Sequence, residues 1–341
     1  MCAAEVNRRL LVRRRPVGLP VAADFELVRE PVPAPGVGTI LVRNEYCSLD
    51  PAMRGWLEDA PSYIEPIALD APLRSIAIGR VAASRHPEFQ PGDWVFGMTA
   101  IEDYSLAQPD GFLRRIDASR VRPVTRYLSA LGAVGLTAYC GVTLLCRPKP
   151  GETLLVTGAA GAVGSLVGQI AKLSGCRVVG VAGGAEKCRR LVERYGFDAA
   201  IDYRGRSETQ LSAEMAQVAP EGFDIVFENV GGPVLDAALM NLRLHARIAL
   251  CGLISEYNST TGPVGARNLW QLIVKRARIE GLFTGDYLEH FPAAQDAMIA
   301  WLEQGRLVVD EQVEEGIENA LPAFLRLFSG AHQGKLILKI A

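Results

Sequence analysis

The sequence predicts an α/β protein in which a mainly β domain precedes a doubly wound parallel sheet. From residue 6 to about residue 107 the chain has short apolar stretches separated by proline and glycine, as in PVPAPGVG at 31–38 and QPGDWVFG at 90–97. Such punctuation is typical of strands joined by turns. From about Leu128 apolar strand patterns alternate with amphipathic helical patterns, which favours a parallel sheet with flanking helices. At 341 residues the chain is also longer than a single core usually grows, so two domains are expected.

Strand and helix patterns in the second half follow one another in the order that such a sheet requires. The apolar run Glu152–Val156 predicts a strand, and 162–174 after it has apolar residues at helical spacing. Four more strand patterns follow, at 177–182, 199–202, 224–228 and 246–251. A last strand pattern at 334–341, after a helical pattern at 317–328, is expected to return to the first domain. The predicted boundaries are 1–127 for the β-rich domain, 128–310 for the parallel sheet and 311–341 for the returning segment.

A loop of small residues, TGAAGAVG at 157–164, lies between the first of these strands and its helix. It contains the pattern AxGxxG as Ala159, Gly161 and Gly164. The missing β-carbon at Gly161 lets backbone amides approach phosphates, Gly164 lets the helix pack closely on the strand, and the helix N-terminus attracts an anion. A tight turn in an unrelated α/β fold is the alternative. The surrounding strand–helix–strand unit of about 30 residues favours a Rossmann dinucleotide site.

Composition and charge exclude several classes of protein. Hydrophobic residues make up 49% and charged residues 22% of the chain, which is typical of a folded enzyme and not of a disordered protein. The net charge of -2 offers no general attraction to nucleic acid or anionic lipid, and no apolar run is long enough to span a bilayer. We interpret the arginines between 8 and 15 as part of a first strand with solvated side chains, not as a presequence. A cytoplasmic location is therefore expected.

The cysteines and histidines form no metal-binding pattern. Seven cysteines are an odd set without a CxxC pair, which argues against both a disulfide framework and a structural zinc site. We expect reduced, mostly buried thiols. The histidines lack HxxxH or HExxH spacing. These residues are Cys2, Cys47, Cys140, Cys146, Cys176, Cys188, Cys251, His86, His245, His290 and His332.

The tip of the second strand indicates which dinucleotide binds. NAD-specific sites carry an acidic residue there, which accepts hydrogen bonds from the ribose 2′-hydroxyl. Here the tip is Ala182, Gly183 and Gly184, which leaves room for a 2′-phosphate, and Lys187 follows to pair with it. A charge-assisted contact of this kind contributes about 1.5 to 3 kcal/mol, which favours NADPH. Glu186 acts in the opposite direction electrostatically, and a solvated lysine at a helix start is the alternative for Lys187.

Seven segments, in order along nearly the whole chain, carry a family resemblance. They are SLDPAMRGWL at 48–57, PGDWVFG at 91–97, GLTAYCG at 135–141, TGAAGAVGSLVGQIAK at 157–172, FENVGG at 227–232, CGLISEYN at 251–258 and GKLILKI at 334–340. The chain resembles the zinc-free medium-chain dehydrogenase/reductases of the prostaglandin reductase and 2-alkenal reductase group, especially their curcumin-reductase-like branch. This implies a GroES-like catalytic domain at 1–127, a Rossmann NADP-binding domain at 128–310 and a homodimer.

The resemblance also implies residues that hold the cofactor. The family's pyrophosphate loop falls on Gly161, Ala162, Val163 and Gly164. At the adenosine end, its 2′-phosphate lysine falls on Lys187, beside Gly183, and its tyrosine falls on Tyr203. Residues after later strands are expected at the nicotinamide end, namely Asn229, Cys251, Gly252, Ile254, Leu282, Phe283 and Thr284. His332 stands where the family commonly has an asparagine near the cofactor, and a histidine there can keep a hydrogen bond while adding sensitivity to pH.

The zinc-binding relatives of this superfamily have a catalytic cysteine where this chain has Cys47. They follow it with a GHE segment, and the corresponding stretch here, RSIAIGRV at 74–81, has neither histidine nor glutamate. We therefore interpret Cys47 as a packed thiol and expect no metal.

The chemistry implied is reduction of an activated carbon–carbon double bond. A nicotinamide cofactor can deliver hydride to the β-carbon of an α,β-unsaturated aldehyde or ketone, and negative charge then accumulates on the carbonyl oxygen. By its place in the family's loop, Tyr257 is the expected donor to this enolate. The alternative for Tyr257 is that its hydroxyl only anchors the loop.

On the substrate side, the resemblance points to Met53 and Arg54, with Tyr63 as a further pocket residue or an ordinary surface aromatic. Family members often have a tyrosine where this chain has Ala52, which widens the pocket. Arg54 either contacts ligand or anchors Asp50. Two other functions stay open: an NADPH-dependent quinone oxidoreductase, which CGLISEYN and DPAMR disfavour, and a non-catalytic NADPH-binding protein.

Overall fold

The computed structural model describes residues 6–109, 112–262 and 265–340, so Cys2 lies outside the described residues. The strands are β1 (Val6–Val12), β2 (Phe25–Pro31), β3 (Ile40–Ser48), β4 (Arg74–Ser84), β5 (Trp94–Ala100), β6 (Tyr104–Ala107), β7 (Arg114–Arg115), β8 (Thr153–Thr157), β9 (Arg177–Ala182), β10 (Ala199–Asp202), β11 (Phe223–Glu228), β12 (Leu242–Leu250), β13 (Arg278–Gly281), β14 (Glu311–Glu315) and β15 (Lys335–Lys339).

The α-helices are α1 (Met53–Trp56), α2 (Ala133–Cys140), α3 (Ala162–Leu173), α4 (Ala185–Glu193), α5 (Glu208–Val218), α6 (Gly232–Met240), α7 (Trp270–Lys275), α8 (Phe291–Glu303) and α9 (Ala320–Ser329). Short 3₁₀ segments occupy Ala22–Asp24, Val124–Leu128, Thr284–His290 and Ile317–Asn319, and a π-helical segment occupies Gly141–Cys146. Among the residues that the structure describes, every helix is too short or too polar to cross a membrane.

The chain divides into two compact units, one made of residues up to Leu128 together with those from Glu311 on, the other of Ser129–Asp310. The second unit contains a six-stranded parallel sheet in the order β10-β9-β8-β11-β12-β13. Numbered within the unit this is 3-2-1-4-5-6, the Rossmann order, in which the connections reverse direction between β8 and β11. The predicted α/β fold with a doubly wound sheet is confirmed.

Individual strands of this sheet agree closely with their sequence patterns. β9 and β10 have the predicted bounds, because short runs rich in Val, Ile and Ala between turn residues mark a strand; β9 is almost wholly buried, and the edge strand β10 is partly buried. β12 begins at Leu242, four residues before the predicted start at Ala246. The sixth strand, β13, was not predicted, since all four of its residues are exposed and RIEG has no apolar run.

The first unit contains a seven-stranded sheet in the order β14-β15-β3-β4-β5-β7, with β6 also paired to β3. Most neighbours are antiparallel, and only the pair β14–β15 is parallel in the described part of this sheet. β15 lies beside β3, where Leu338 is opposite Cys47. Apolar side chains of β3, α1, α9 and β15, among them Met53 and Phe324, form the core of this unit.

The first strand, β1, is present, but its arginines are paired and not simply solvated as predicted. Arg8 binds Asp103 and Arg9 binds Glu102, at 2.8 and 2.7 Å. Arg13 and Arg14 likewise face carboxylates, Glu26 and Asp70 for the former and Asp24 for the latter. The physical reason is that β1 pairs with β2 and runs beside the acidic 102–103 corner, positions that the sequence of β1 alone does not reveal.

Candidate functional site

The glycine loop follows β8 at the carboxyl edge of the sheet, beside the point where the strand order reverses. Gly158 has φ +60°, a left-handed conformation that favours glycine, and the amide of Gly161 closes a tight turn onto the Gly158 carbonyl at 3.0 Å. Helix α3 then begins at Ala162, with Gly161 as its N-cap. The first amides of this helix therefore face the crevice where dinucleotides bind in such sheets.

Gly164 has the packing role predicted for it. A β-carbon at this position would lie 2.5 Å from the Gly158 carbonyl oxygen and 2.8 Å from the Cα of Ala159, which are both backbone atoms that cannot turn aside. A β-carbon on Gly161 would lie 3.2 Å from the same oxygen. The loop thus fits a pyrophosphate, although contact of 161–164 with a cofactor stays a prediction.

A basic pocket surrounds the tip of β9. A β-carbon on Gly183 would lie 2.9 Å from the Tyr203 hydroxyl and 3.1 Å from Nε of Arg204, so glycine is what lets these two side chains approach the strand tip. Burial lowers the pKa of the Lys187 ammonium, and the charge of Arg204 lowers it further, while Glu186 acts in the opposite direction. A half-buried lysine and an exposed arginine that repel each other form an arrangement that a bound dianion stabilises.

Arg204 is a residue of this pocket that our sequence analysis missed. Asp202, the last residue of β10, accepts hydrogen bonds through one carboxylate oxygen from the amides of Gly184 and Arg204, at 2.7 and 3.0 Å. These two bonds connect the tip of β9 to the turn after β10 and bring Arg204 next to Gly183. The signal that was available is the position of Arg204 directly after a predicted strand, next to Tyr203 in IDYR.

Asn229 lies at the carboxyl end of β11, opposite the glycine loop. Its backbone amide donates to the Thr157 hydroxyl at 2.8 Å, and its side-chain amide donates to the Thr157 carbonyl at 2.7 Å. Its carbonyl accepts from the amide of Ile254 at 3.1 Å. The ends of β8 and β11 and the segment after β12 are therefore joined at one place, as predicted for residues that follow neighbouring parallel strands.

Tyr257 folds back onto the start of its own loop. Its hydroxyl oxygen accepts a hydrogen bond from the amide of Leu253 at 3.4 Å, and a β-carbon on Gly252 would lie 2.9 Å from that oxygen. The phenol is half-buried at the carboxyl edge of the sheet. Both interpretations made from the sequence, a reacting donor and a loop anchor, are compatible with this position.

The segment 282–284 follows β13 at the same edge. The amide of Leu282 donates to the carbonyl of Leu250 at 2.9 Å, and the hydroxyls of Thr284 and Thr137 are hydrogen-bonded. Phe283 between them is exposed over 39% of its surface.

In the first unit, two of the residues predicted to contact substrate are core residues. Met53 and Arg54 are 0% and 2% exposed. The Arg54 guanidinium donates from Nε to the carbonyl of Gly18 at 3.1 Å and from Nη1 to Glu58 at 3.0 Å, which supports a role in holding the N-terminal segment. Asp50 is bound instead by the buried Lys335 ammonium at 2.6 Å.

The other predicted residues of this unit lie nearer the surface. Tyr63 is 58% exposed, and its hydroxyl accepts from the Trp56 indole at 3.3 Å. His332 is half-buried, with Nδ1 3.1 Å from the carbonyl oxygen of Arg326, so Nδ1 carries the proton in this contact. Substrate or cofactor contact by Met53, Arg54, Tyr63 and His332 stays a prediction.

Cys47 is a packed thiol, as predicted. It is 0% exposed, its Sγ lies 3.6 Å from the carbonyl oxygen of Ala100, and burial raises the pKa of the thiol far above its usual range. Across the described ranges, no group of three or more histidines, cysteines, aspartates and glutamates is placed to hold a metal ion. The described cysteines are free, and four of the six are buried.

Two family models each match a part of this chain. Residues 8–114 match the family described as the N-terminal domain of oxidoreductase, and residues 162–303 match the family described as zinc-binding dehydrogenase. The chain is 41% identical over 340 residues to the NADPH-dependent curcumin reductase of Escherichia coli (strain K12), covering 98% of this chain and 97% of that protein. It is also 41% identical over 340 residues to the NADP(+)-dependent 2-alkenal reductase of Nicotiana tabacum, covering 98% of each.

A similar solved structure contains the cofactor. The crystal structure of CurA from Vibrio vulnificus in complex with NADPH superimposes with a TM-score of 0.92 at 40% sequence identity, covering 98% of this chain and 99% of that one.

Proposed function

We propose the site residues and the course of a reaction from one premise: the chain belongs to the medium-chain dehydrogenase/reductases, in the branch of NADP-dependent curcumin and 2-alkenal reductases. It is an NADPH-dependent oxidoreductase that reduces the carbon–carbon double bond of α,β-unsaturated aldehydes or ketones. The observation that carries the proposal is the joining of the glycine loop, the basic pocket and the Tyr257 loop along one edge of the parallel sheet.

The adenosine end of the cofactor is held by backbone amides and by charge. The amides at the start of α3, from Gly161 to Gly164, bind the pyrophosphate, because a helix N-terminus offers donors that have no partner within the helix. Lys187 and Arg204 bind the 2′-phosphate, and Tyr203 packs beside Gly183. Each charge-assisted contact contributes about 1.5 to 3 kcal/mol, which accounts for a preference for NADPH over NADH.

The nicotinamide end lies against the segments that follow β11, β12 and β13. NADPH supplies a hydride to the β-carbon of the substrate. Asn229, Cys251, Gly252, Ile254 and 282–284 orient the reacting face, because their backbone is fixed to the strand ends by hydrogen bonds. Fixed donors and dipoles reduce the reorganisation needed when charge develops.

Tyr257 stabilises that charge. As the β-carbon gains a hydride, the electron pair of the double bond moves to the carbonyl oxygen, and the phenol donates a hydrogen bond to this enolate oxygen. The phenol oxygen accepts from the amide of Leu253, and a hydroxyl that accepts a hydrogen bond is a stronger donor through its own hydrogen. A proton from solvent then completes the reduction at the α-carbon.

Substitution of Tyr257 by phenylalanine tests this assignment. We expect kcat on an enone to fall about 100- to 1,000-fold, the range for loss of one oxyanion donor, while the Kd for NADPH stays nearly constant. The matched control is Tyr203→Phe at the other end of the site, which should weaken NADPH binding and spare kcat. Equal turnover of Tyr257→Phe and the unsubstituted enzyme would remove Tyr257 from the mechanism.

A substrate panel separates the remaining functions. We expect NADPH consumption with alkenals and alkenones at a kcat/KM above that for quinones. Faster turnover of quinones would favour a quinone oxidoreductase instead. Tight NADPH binding without turnover of any activated alkene would favour a non-catalytic binding protein.

Zinc independence and a cytoplasmic location are further parts of the proposal. A cysteine binds zinc as a thiolate, and burial that raises the pKa of Cys47 opposes its ionisation. The stretch 74–81 offers neither histidine nor glutamate beside it. Metal analysis of the purified enzyme tests the first point, and localisation of the tagged protein in its own cells tests the second.

We also propose a homodimer formed through the second unit. β13 is an edge strand with all four residues exposed, and an exposed edge is a template for pairing with another strand. Trp270, Ile273 and Val274 on the neighbouring helix α7 are 67%, 65% and 46% exposed. Clustered apolar exposure of this kind is typical of an interface.

A further inference from the structure

A carboxyl group is buried beneath the reacting end of the proposed site. Glu228, the last residue of β11, is 0% exposed. Its Oε1 accepts hydrogen bonds from the amides of Val230 and Gly231, at 2.6 and 2.7 Å. Within the described residues, its Oε2 has no hydrogen-bond partner although it is buried. Burying a carboxyl group with one oxygen lacking a hydrogen bond costs free energy of folding, so a functional reason for Glu228 at this position is expected.

Two loops are attached to this residue. The side chain holds the turn at 229–231 through the two amides, and the backbone carbonyl of Glu228 accepts from the amides of Cys251 and Gly252 at 2.9 and 3.1 Å. The next two residues continue the attachment. The carbonyl of Asn229 accepts from the amide of Ile254 at 3.1 Å, and the carbonyl of Val230 accepts from both the amide and the hydroxyl of Ser255, at 2.9 and 2.7 Å. The turn after β11 and the segment 251–255 therefore share one support.

We propose that Glu228 is a positioning residue whose ionised carboxylate holds the 229–231 turn, and through it the 251–255 segment, in the conformation that binds the nicotinamide end of NADPH. This inference rests on the proposed function, because that function places the cofactor against these two segments. Glu228 acts through their backbone and not by contact with substrate.

The charge of this carboxyl changes near neutral pH. Burial raises the pKa of Glu228 to about 7, although the amides of Gly231 and Val230 and the Thr157 side chain act to lower it. The groups that face it are the Thr157 hydroxyl from β8, the turn amides, and the Cys251 thiol after β12. Burial raises the pKa of Cys251 to about 12, so this thiol stays neutral over the range in which Glu228 titrates.

The direction of the effect follows from the charge. Above the pKa of Glu228 the turn amides donate to an anion, and below it they donate to a neutral acid, which binds them more weakly. NADPH affinity should therefore fall as the pH decreases through about 7. The difference between a charged and a neutral acceptor corresponds to about a three- to tenfold change in Kd.

Fluorescence titration with NADPH, without substrate, at pH values from about 6 to 8.5 tests the proposal. We compare the unsubstituted enzyme, Glu228→Gln, which mimics the neutral acid, and Glu152→Gln as a matched control. Glu152 is a partly buried glutamate at the opposite end of the same sheet, paired with Arg247. Because the phosphate of NADPH also titrates near pH 6, only differences between the proteins are interpreted.

We expect the Kd to change with pH in the unsubstituted enzyme and in Glu152→Gln by about three- to tenfold more than in Glu228→Gln. A Glu228→Gln profile that follows the unsubstituted enzyme would overturn the proposal. Should this variant not fold, Thr157→Val serves instead. Loss of the hydroxyl raises the pKa of Glu228, so the midpoint of the pH dependence of the Kd for NADPH must move to higher pH. An unmoved midpoint would overturn the proposal. Binding that titrates as expected, in an enzyme that reduces no alkene, would refute the proposed reaction alone.

Discussion

The basic pocket shows at the scale of single residues how an anion site is built. Lys187 has a lowered pKa because it is half-buried and faces Arg204. A bound 2′-phosphate removes this repulsion and gains two charge-assisted bonds. We expect Lys187→Ala and Arg204→Ala each to raise the Kd for NADPH by about 10- to 100-fold while changing the Kd for NADH little.

The control for these two variants is Arg189→Ala, which removes an equal charge from α4, the helix that carries Lys187. Arg189 is 63% exposed in its side chain and lies 3.9 Å from Glu193, so its loss should leave the preference for NADPH unchanged. Equal losses of NADPH and NADH affinity in the Lys187 and Arg204 variants would argue against a 2′-phosphate site.

Arg204 and Arg54 mark the limits of prediction at this scale. Lys187 was predictable because it follows a strand tip within one strand–helix–strand unit. Arg204 reaches the same pocket through the bond between Asp202 and Gly184, a contact between two strands that no local pattern contains. Arg54 is fixed by the carbonyl of Gly18, 36 residues away.

At the scale of elements, the contact between α3 and β8 depends on Gly164. An alanine there would bring its β-carbon within 2.8 Å of two backbone atoms, so the helix must shift although alanine has the better helix propensity. We expect Gly164→Ala to lower the free energy of unfolding by about 1 to 3 kcal/mol in urea titration.

Gly55→Ala is the matched substitution, because Gly55 is also helical but a β-carbon added to it would meet no neighbouring atom within 4 Å. Its effect should stay within about 1 kcal/mol. A similar loss of stability in both variants would show that the close contact at Gly164 is not the cause.

Strands with an apolar pattern of their own were predictable from the sequence, and a strand that forms only by pairing with a neighbouring strand was not. β9 and β10 are rich in Val, Ile and Ala and have the predicted bounds. β13 is a strand because it pairs with β12, from Arg247 opposite Arg278 to Leu250 opposite Gly281, and not because of its own residues. The arginines of β1 were similarly assigned to solvent because their carboxylate partners are distant in sequence, as Asp103 is from Arg8, 95 residues away.

At the scale of the whole molecule, stability in acid depends on Asp310, the last residue of the second unit. Hydrogen bonds from Arg194 and Tyr195 lower the pKa of Asp310 from 3.8 to about 2. A lowered pKa in the folded state stabilises the protein above the unfolded value, and this stabilisation is lost as the pH falls toward 2. We expect Asp310→Asn to unfold at a lower temperature at neutral pH and to lose less on acidification, by calorimetry.

The comparison for Asp310 is Asp59→Asn, which changes an exposed loop residue. Its melting temperature should follow that of the unsubstituted protein from neutral pH into acid. If both variants have the same acid profile, the cluster of Asp310 with Arg194 and Tyr195 does not supply the stabilisation.

The proposed dimer is the other property of the whole molecule. Trp270→Lys with Ile273→Lys places two charges in the exposed face of α7, so the mass measured by light scattering should fall to about half. Val37→Lys changes a residue of the first unit that is 81% exposed, and it should leave the mass unchanged. A mass independent of the α7 substitutions would exclude this face as the interface.

The position of β15 has a consequence for the order in which the chain is synthesised. β15 lies between β14 and β3, so a strand made from residues 335–339 fills the gap beside a strand made from residues 40–48. All six strands of the second unit have been synthesised once residue 281 is added. Because domains can fold during synthesis, the second unit can reach its native state first. The sheet of the first unit is complete only after β15 has been made, and Lys335 in that strand then binds Asp50.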